Sequence, residues 1–298
     1  MNSTLSKFKR LERARILAPA AILALSAATG LTQTTLFDDN YSRNGMNSAG
    51  NLTPNFGGQT GIDVGSGITY STFINGGSTT PPNSLNIQNS TLFKSATGQE
   101  GIWALNNNFT DSAILSAGGF SITQNILAVP VNASTPADRF CGYGVGLSLA
   151  QVNALNDDNL TSAGPRGSIS GGTTGVAAYY VDLDSAGAVQ IFTGGTLFDT
   201  VPISGSPTSG TLTTDFTSFA DFNAGTTVQF TTFFNGTEIA TASFDWTSTD
   251  NNYIAGSMRD SSVTAGEFNI STVPEPSTYT LIFSGLGLMG LLARRRKI

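Results

Sequence analysis

Residues 228–246 read VQFTTFFNGTEIATASFDW and contain the clearest fold signal in the chain. Two runs rich in β-branched and aromatic residues, which favour strands, flank the dipeptide Asn235-Gly236. Asn-Gly readily supplies the two positive-φ residues of a type I′ turn, the turn that best matches the twist of a two-stranded hairpin. The segment therefore predicts an antiparallel hairpin closed at Asn235-Gly236.

Similar short runs occur along most of the chain and are separated by clusters of Gly, Asn, Asp and Pro. A second hairpin is predicted from AYYVDL–DSAG–AVQIF, in which Gly187 closes the turn. No period of 20 to 50 residues repeats, and at most a short helix is expected near residues 148–155. Regular short strands of this kind indicate an all-β sandwich or barrel. The predicted strands cover residues 68–74, 84–93, 120–131, 176–183, 188–192, 226–234 and 238–246.

The composition excludes several classes of chemistry. The chain has 298 residues, no histidine and one cysteine, Cys141. Ser-His-Asp and Cys-His catalysis, His-ligated zinc and intrachain disulfides are therefore excluded. The net charge of -6 makes a nucleic-acid partner unfavourable, since binding to phosphates needs clustered cations.

The charges are unevenly distributed along the chain. Between residues 35 and 276 there are five basic and 19 acidic residues, which gives this body a net charge near -14. The other basic residues lie at the two ends: Lys7, Lys9, Arg10, Arg13, Arg15, Arg294, Arg295, Arg296 and Lys297. Lys and Arg that flank apolar segments stay on the cytoplasmic side of a membrane. We therefore expect both ends to face the cytoplasm while the acidic body lies outside.

The first 34 residues have the order typical of a secretory signal peptide. Basic residues up to Arg15 are followed by the apolar run ILAPAAILAL and then by the small residues Ser26, Ala27 and Ala28. This order predicts a signal peptide over residues 1–34 that is removed by signal peptidase.

The last 26 residues read VPEPSTYTLIFSGLGLMGLLARRRKI and have three parts. An extended segment around Pro274-Glu275-Pro276 precedes an uncharged, mostly apolar run over residues 279–293. Four cations follow the run. At ~1.5 Å per residue the run spans only ~22 Å of the ~30 Å hydrocarbon layer, which favours a transient anchor.

These parts, in this order, closely resemble the PEP-CTERM sorting signal of Gram-negative bacteria. The resemblance rests on Val273, Pro274, Glu275, Pro276 and Ser277, the Gly-containing apolar segment, and the cations Arg294, Arg295, Arg296 and Lys297. It implies that an exosortase, a membrane-embedded cysteine transpeptidase, cleaves near the motif. The chain would then cross the inner membrane transiently and reach the cell surface or the extracellular polysaccharide matrix of a biofilm.

Residues 35–272 resemble a jelly-roll sandwich of the concanavalin A or laminin-G kind. The resemblance rests on an opening strand at residues 36–41, the hairpin from Tyr180 to Phe192, and a closing strand at residues 266–271. With the two end segments described above, the chain is predicted to have three parts: signal peptide 1–34, β-sandwich 35–272, and sorting signal 273–298 with a transmembrane helix. An immunoglobulin-like sandwich and two smaller β-domains are the alternatives.

The body offers little catalytic chemistry. Some jelly-roll sandwiches hydrolyse glycosides with paired carboxylates, but the expected E-x-D-x-x-E pattern does not occur in this sequence. We therefore expect no enzymatic activity and assign no catalytic residue.

Two groups of residues could bind a ligand. Residues 182–187 begin like a calcium-binding loop but lack its later ligands, and residues 157–159 and 250–252 are rich in side-chain oxygens. We expect no cofactor, with a structural calcium ion as the alternative. Trp103 and Trp246 could stack on sugars, although a core position is favoured for Trp246.

Two functions follow from this sequence. The first is a secreted structural or adhesive component of the cell surface or exopolysaccharide matrix, processed by exosortase. The second is a lectin-like carbohydrate-binding module.

Overall fold

The computed structural model describes residues 33–41, 68, 70–75, 85–94, 100–131, 139–154 and 177–273. Residues Thr35–Val273 form one compact unit. Nearly all of the predicted signal peptide, and the sorting signal after Val273, lie outside the described residues. Within the described ranges, no helix has the length and apolar character needed to cross a membrane.

The fold consists of two antiparallel sheets whose inner faces share one hydrophobic core. The eight-stranded sheet has the order β13-β12-β11-β6-β15-β4-β3, and β1 also pairs with β15. Its strands are β1 (Thr35–Asp39), β3 (Leu85–Gln88), β4 (Thr91–Lys94), β6 (Gly119–Ala128), β11 (Gly210–Thr217), β12 (Thr227–Phe234), β13 (Thr237–Asp245) and β15 (Thr264–Thr272).

The seven-stranded sheet has the order β10-β9-β8-β7-β14-β5-β2. Its strands are β2 (Tyr70–Asn75), β5 (Glu100–Leu105), β7 (Phe140–Leu147), β8 (Tyr179–Asp184), β9 (Ala188–Thr193), β10 (Thr196–Pro202) and β14 (Tyr253–Arg259). Together the two sheets confirm the predicted all-β sandwich of the jelly-roll class.

Strand β12 shows why this sequence selects a sandwich. Its burial alternates residue by residue, so that Val228, Phe230, Thr232 and Phe234 point into the core while the residues between them face outward. This alternation is the pattern of a sheet with one packed face and one wet face. The predicted hairpin from β12 to β13 is confirmed, with Asn235 and Gly236 both at positive φ.

Hydroxyl groups inside the core are paired with one another across the two sheets. Tyr143 Oη donates to Thr214 Oγ1 at 2.9 Å, and Tyr179 Oη lies 2.7 Å from Thr232 Oγ1. A buried hydroxyl without a partner would cost about 1–3 kcal/mol, so these pairs favour one alignment of the sheets.

Two helices accompany the strands in the described residues. The short helix expected near residues 148–155 is confirmed as α2 (Leu149–Ala154). Helix α1 (Ser112–Ala117) was not predicted, although capping residues stand at both of its ends. Asp111 accepts a hydrogen bond from the N–H of Ala113, and Gly118 adopts a left-handed conformation.

One predicted strand was wrong in its extent. Residues 84–93 form a hairpin of β3 and β4, not one strand, because Asn89 and Ser90 both adopt positive φ and reverse the chain. The second predicted hairpin is confirmed as β8 and β9, with Gly187 in its turn.

Gly256 in β14 provides a test of core packing. A Cβ atom at this position would lie 2.3 Å from the ring of Trp103, which is 1% exposed. We expect Gly256→Ala to lower the free energy of unfolding by about 1–3 kcal/mol, since the buried ring has no room to move. Thermal and urea denaturation measure the change.

Gly266→Ala is the matched control, because the nearest atom there is the end of the Asn125 side chain at 3.2 Å. Equal stability losses in the two variants would contradict the packing of Trp103 against Gly256.

Candidate functional site

Among the predicted sorting residues, Val273 alone lies in the described part of the chain. It follows β15 directly, is buried, and donates its N–H to the carbonyl of Gly119 at 3.2 Å. Pro274, Glu275, Pro276, Ser277, Arg294, Arg295, Arg296 and Lys297 lie outside the described residues. The motif therefore begins where the central strand of a sheet ends, without an intervening linker.

Both tryptophans belong to the core and offer no surface for stacking sugars. Trp103 packs edge-on against Phe268 with ring centroids 4.6 Å apart. Trp246 packs against Phe219 at 5.2 Å, and its indole N–H donates to the carbonyl of Asn251 at 3.2 Å. Each indole is 1% exposed.

The calcium-like segment at residues 182–187 stabilises a turn. The Asp184 carboxylate accepts hydrogen bonds from the N–H groups of Ala186 and Ala188, at 2.9 and 3.0 Å, and from Gln190 Nε2 at 3.2 Å. These contacts hold the β8–β9 turn and use the oxygens that a cation would need.

Residues 250–252 also have a structural role. Asn252 Oδ1 accepts from the N–H of Gly146 at 3.2 Å, and its Nδ2 donates to the carbonyl of Phe109 at 3.1 Å. Residues 157–159 lie outside the described part. In the described ranges, no group of three or more Cys, Asp or Glu side chains could hold a metal ion.

A cleft of about 520 Å³ opens where the edge strands of the two sheets, β10 and β13, approach each other. We call it the edge cleft. One wall is formed by the end of β10 and the loop after it: Val201, Pro202, Ile203, Ser204 and Pro207. The other wall is formed by the β12–β13 hairpin: Phe234, Asn235, Thr237, Glu238 and Ile239.

The first wall is held in place by the β8–β9 turn. The N–H of Ile203 donates to the carbonyl of Gly187 at 3.1 Å, and the N–H of Ser206 donates to the carbonyl of Ile203 at 3.0 Å. Gly187 has a φ of 74°, and a Cβ there would lie 2.4 Å from Cα of Ser206. Only glycine fits this close approach.

The second wall is held in place by the hairpin turn. Asn235 Oδ1 accepts from the N–H of Thr211 at 2.8 Å, and the N–H of Asn235 donates to the carbonyl of Thr211 at 2.8 Å. The register of β13 shifts at Ile239, which lies opposite no residue of β12. Such a bulge changes the direction in which neighbouring side chains point. The wall therefore presents Glu238 and Ile239 from a fixed backbone.

Glu238 is the only charged residue among the described residues that line the edge cleft. Its side chain is exposed, and its Oε1 accepts a hydrogen bond from Thr241 Oγ1 at 2.9 Å. The cleft thus combines mostly apolar walls with one carboxylate and a few neutral polar groups, as small-ligand sites commonly do.

The sequence did not predict this cleft. Its walls lie about 30 residues apart and meet only because β10 and β13 are the edges of different sheets. The Asn-Gly turn locates the hairpin wall, whereas no local pattern marks the loop at residues 203–207.

Comparison with known families identifies the C-terminal segment. Residues 272–297 match the family model of the PEP-CTERM protein-sorting motif. The chain carries a PEP-CTERM sorting motif. This motif indicates a surface protein that is targeted to exosortase, exported, and anchored in the membrane before processing. The sequence matches no curated protein.

Several solved structures resemble the sandwich that precedes the PEP-CTERM motif. An endo-1,3-beta-glucanase from Streptomyces sioyaensis matches with a TM-score of 0.46 and 8% identity, over 81% of this chain and 97% of its own. The Emp46p carbohydrate recognition domain gives 0.43 and 10%, over 68% and 87%. A Bacillus subtilis protein of unknown function with a galectin-like fold gives 0.41 and 9%, over 80% and 96%.

Cys141 provides a test of the sandwich core. It is fully buried in β7, and burial, together with the charge of Asp182, raises the pKa of its thiol well above the usual range. Because the thiolate is the reactive form, we expect no reaction with a chromogenic disulfide reagent in the folded state at pH 8. In guanidinium chloride one thiol per chain should react.

A second measurement compares the melting temperature with and without reductant. The two values should be equal, since a single cysteine forms no intrachain disulfide bond. Rapid labelling of the native protein would show that β7 is not buried as described.

Proposed function

We propose that this protein is a non-enzymatic structural or adhesive component of the cell surface or extracellular polysaccharide matrix, released from its membrane anchor by exosortase. The signal peptide at residues 1–34 delivers it across the inner membrane, and the sandwich over residues 35–272 is the part that remains outside. The PEP-CTERM motif at residues 272–297 carries this proposal.

The junction between sandwich and motif supports processing close to the folded body. Val273 is bound to the carbonyl of Gly119, so Pro274 follows a buried residue directly. The two prolines around Glu275 disfavour a helix, so the backbone C=O groups of this segment and the N–H of Glu275 stay available to a protease. The cations Arg294, Arg295, Arg296 and Lys297 then keep the tail from passing through the membrane.

The edge cleft supports a binding role more than a hydrolytic one. Its described lining includes one carboxylate, that of Glu238, whereas glycoside hydrolysis ordinarily uses two. A lectin-like carbohydrate-binding module is therefore the second candidate, and the preformed cleft is the observation that favours it.

A binding assay distinguishes the two candidates. The exported protein is passed over a panel of immobilised polysaccharides and tested on a glycan array. Saturable binding to one polysaccharide class supports the module. Absence of saturable binding, together with loss of matrix cohesion in a deletion strain, supports the structural component.

Replacing the motif prolines tests the processing step. We expect Pro274→Ala with Pro276→Ala to leave the tail attached and the protein in the inner membrane. Without the prolines, the predicted transmembrane helix can extend N-terminally through this segment, and its backbone groups become paired. Intact-mass measurement after cell fractionation gives the result.

The matched control replaces two consecutive prolines outside the sorting motif, Pro81 and Pro82, with alanine. This variant should be processed normally. A wild-type protein recovered from the surface with a mass that includes residues 281–298 would instead make the tail a permanent anchor.

A further inference from the structure

The charge around the edge cleft indicates which ligands it can accept. Glu238 places an exposed negative charge at the wall, and none of the described residues lining the cleft is basic. The body around it has a net charge near -14 between residues 35 and 276. A field of one sign raises the local concentration of oppositely charged ligands and repels those of the same charge. Anionic polysaccharides are therefore disfavoured at this position.

The shape of the cleft suits one or two units of a polymer. Its volume of about 520 Å³ lies within the range of small-ligand sites. The aliphatic surfaces of Pro202, Ile203 and Ile239 can contact the C–H groups of a sugar ring. The carboxylate of Glu238 and the hydroxyl of Ser204 provide polar contacts at the same site.

Both walls are fixed before any ligand binds. Ile203 is hydrogen-bonded to the β8–β9 turn at Gly187, and Asn235 is hydrogen-bonded twice to Thr211. A ligand then binds without ordering a loop, which lowers the entropic cost of association.

We propose that the edge cleft binds amino-sugar units of a cationic polysaccharide, with the Glu238 carboxylate accepting hydrogen bonds from the sugar ammonium group. A charge-assisted N–H···O bond of this kind is about twice as strong as a neutral one. The carboxylate selects a free amine over an acetylated one, because acetylation removes the positive charge. This inference rests on the carbohydrate-binding form of the proposed function and names its site and ligand class.

The test uses the full-length chain in mild detergent and isothermal titration calorimetry. The probes are a chitosan hexamer, whose amines are free, and the fully N-acetylated chitin hexamer. We expect tighter binding of chitosan, and Glu238→Gln should weaken it by about two- to fivefold, as loss of one solvent-exposed ion pair implies. The affinity for the acetylated hexamer should change little.

Glu267→Gln is the matched control. Glu267 is an exposed acid on β15, outside the residues that line the cleft, and its replacement changes the net charge by the same amount. It should leave chitosan binding unchanged. Equal weakening in both variants would mean that binding follows overall charge and would overturn the proposed site.

Two further outcomes separate this inference from the proposed function. If chitosan or another polysaccharide binds saturably and Glu238→Gln has no effect, the carbohydrate-binding function stands and the edge cleft is not its site. If hexalysine binds as tightly as chitosan and with the same dependence on Glu238, the site accepts cationic peptides and the sugar assignment is wrong.

Discussion

The structure depends on the backbone pairing of β15, because this strand joins parts of the eight-stranded sheet that are distant in sequence. It pairs with β6 on one side and with β1 and β4 on the other, so that Ile270 lies opposite both Ile122 and Phe37. Its inward residue Phe268 also contacts Trp103 and Tyr143 of the other sheet, at ring-centroid distances of 4.6 and 6.0 Å. One strand therefore completes a sheet and connects it to the opposite layer, where offset and edge-on aromatic pairs add about 0.5–1.5 kcal/mol each.

The sequence identified the parts of the fold that form locally. The β12–β13 hairpin could be predicted because its turn, alternation and strand composition all lie within residues 228–246. Strand β7 could not, because it reads FCGYGVGL and every residue in it is buried, so it shows no alternation. Its glycines allow close packing: a Cβ on Gly142 would lie 2.0 Å from the carbonyl oxygen of Val181. This requirement comes from the neighbouring strand and cannot be seen in the local sequence.

The segment at residues 182–187 resembles the start of a calcium-binding loop, but its residues are required by a hairpin turn. Asp184 and Gly187 occur where a cation loop would have them, yet the carboxylate binds turn N–H groups and the glycine admits Ser206. The same turn holds the loop that forms one wall of the edge cleft. Residues that suggested an ion site thus support a concave surface that the sequence did not indicate.

The position of β15 has a consequence for the order of events during export. A chain that leaves a translocation channel from its N-terminus presents β1, β4 and β6 first, and β15 is the last described strand to emerge. Until it does, those three strands lack their shared partner and the eight-stranded sheet has a gap at its centre. If the chain is exported in this direction, as proposed, the sheet can be completed only when the segment that carries the sorting motif is the next to emerge. Under the proposed export route, the strand that completes the sheet and the motif that is read at the membrane are neighbours in the chain, so folding can finish only after nearly the whole body has crossed.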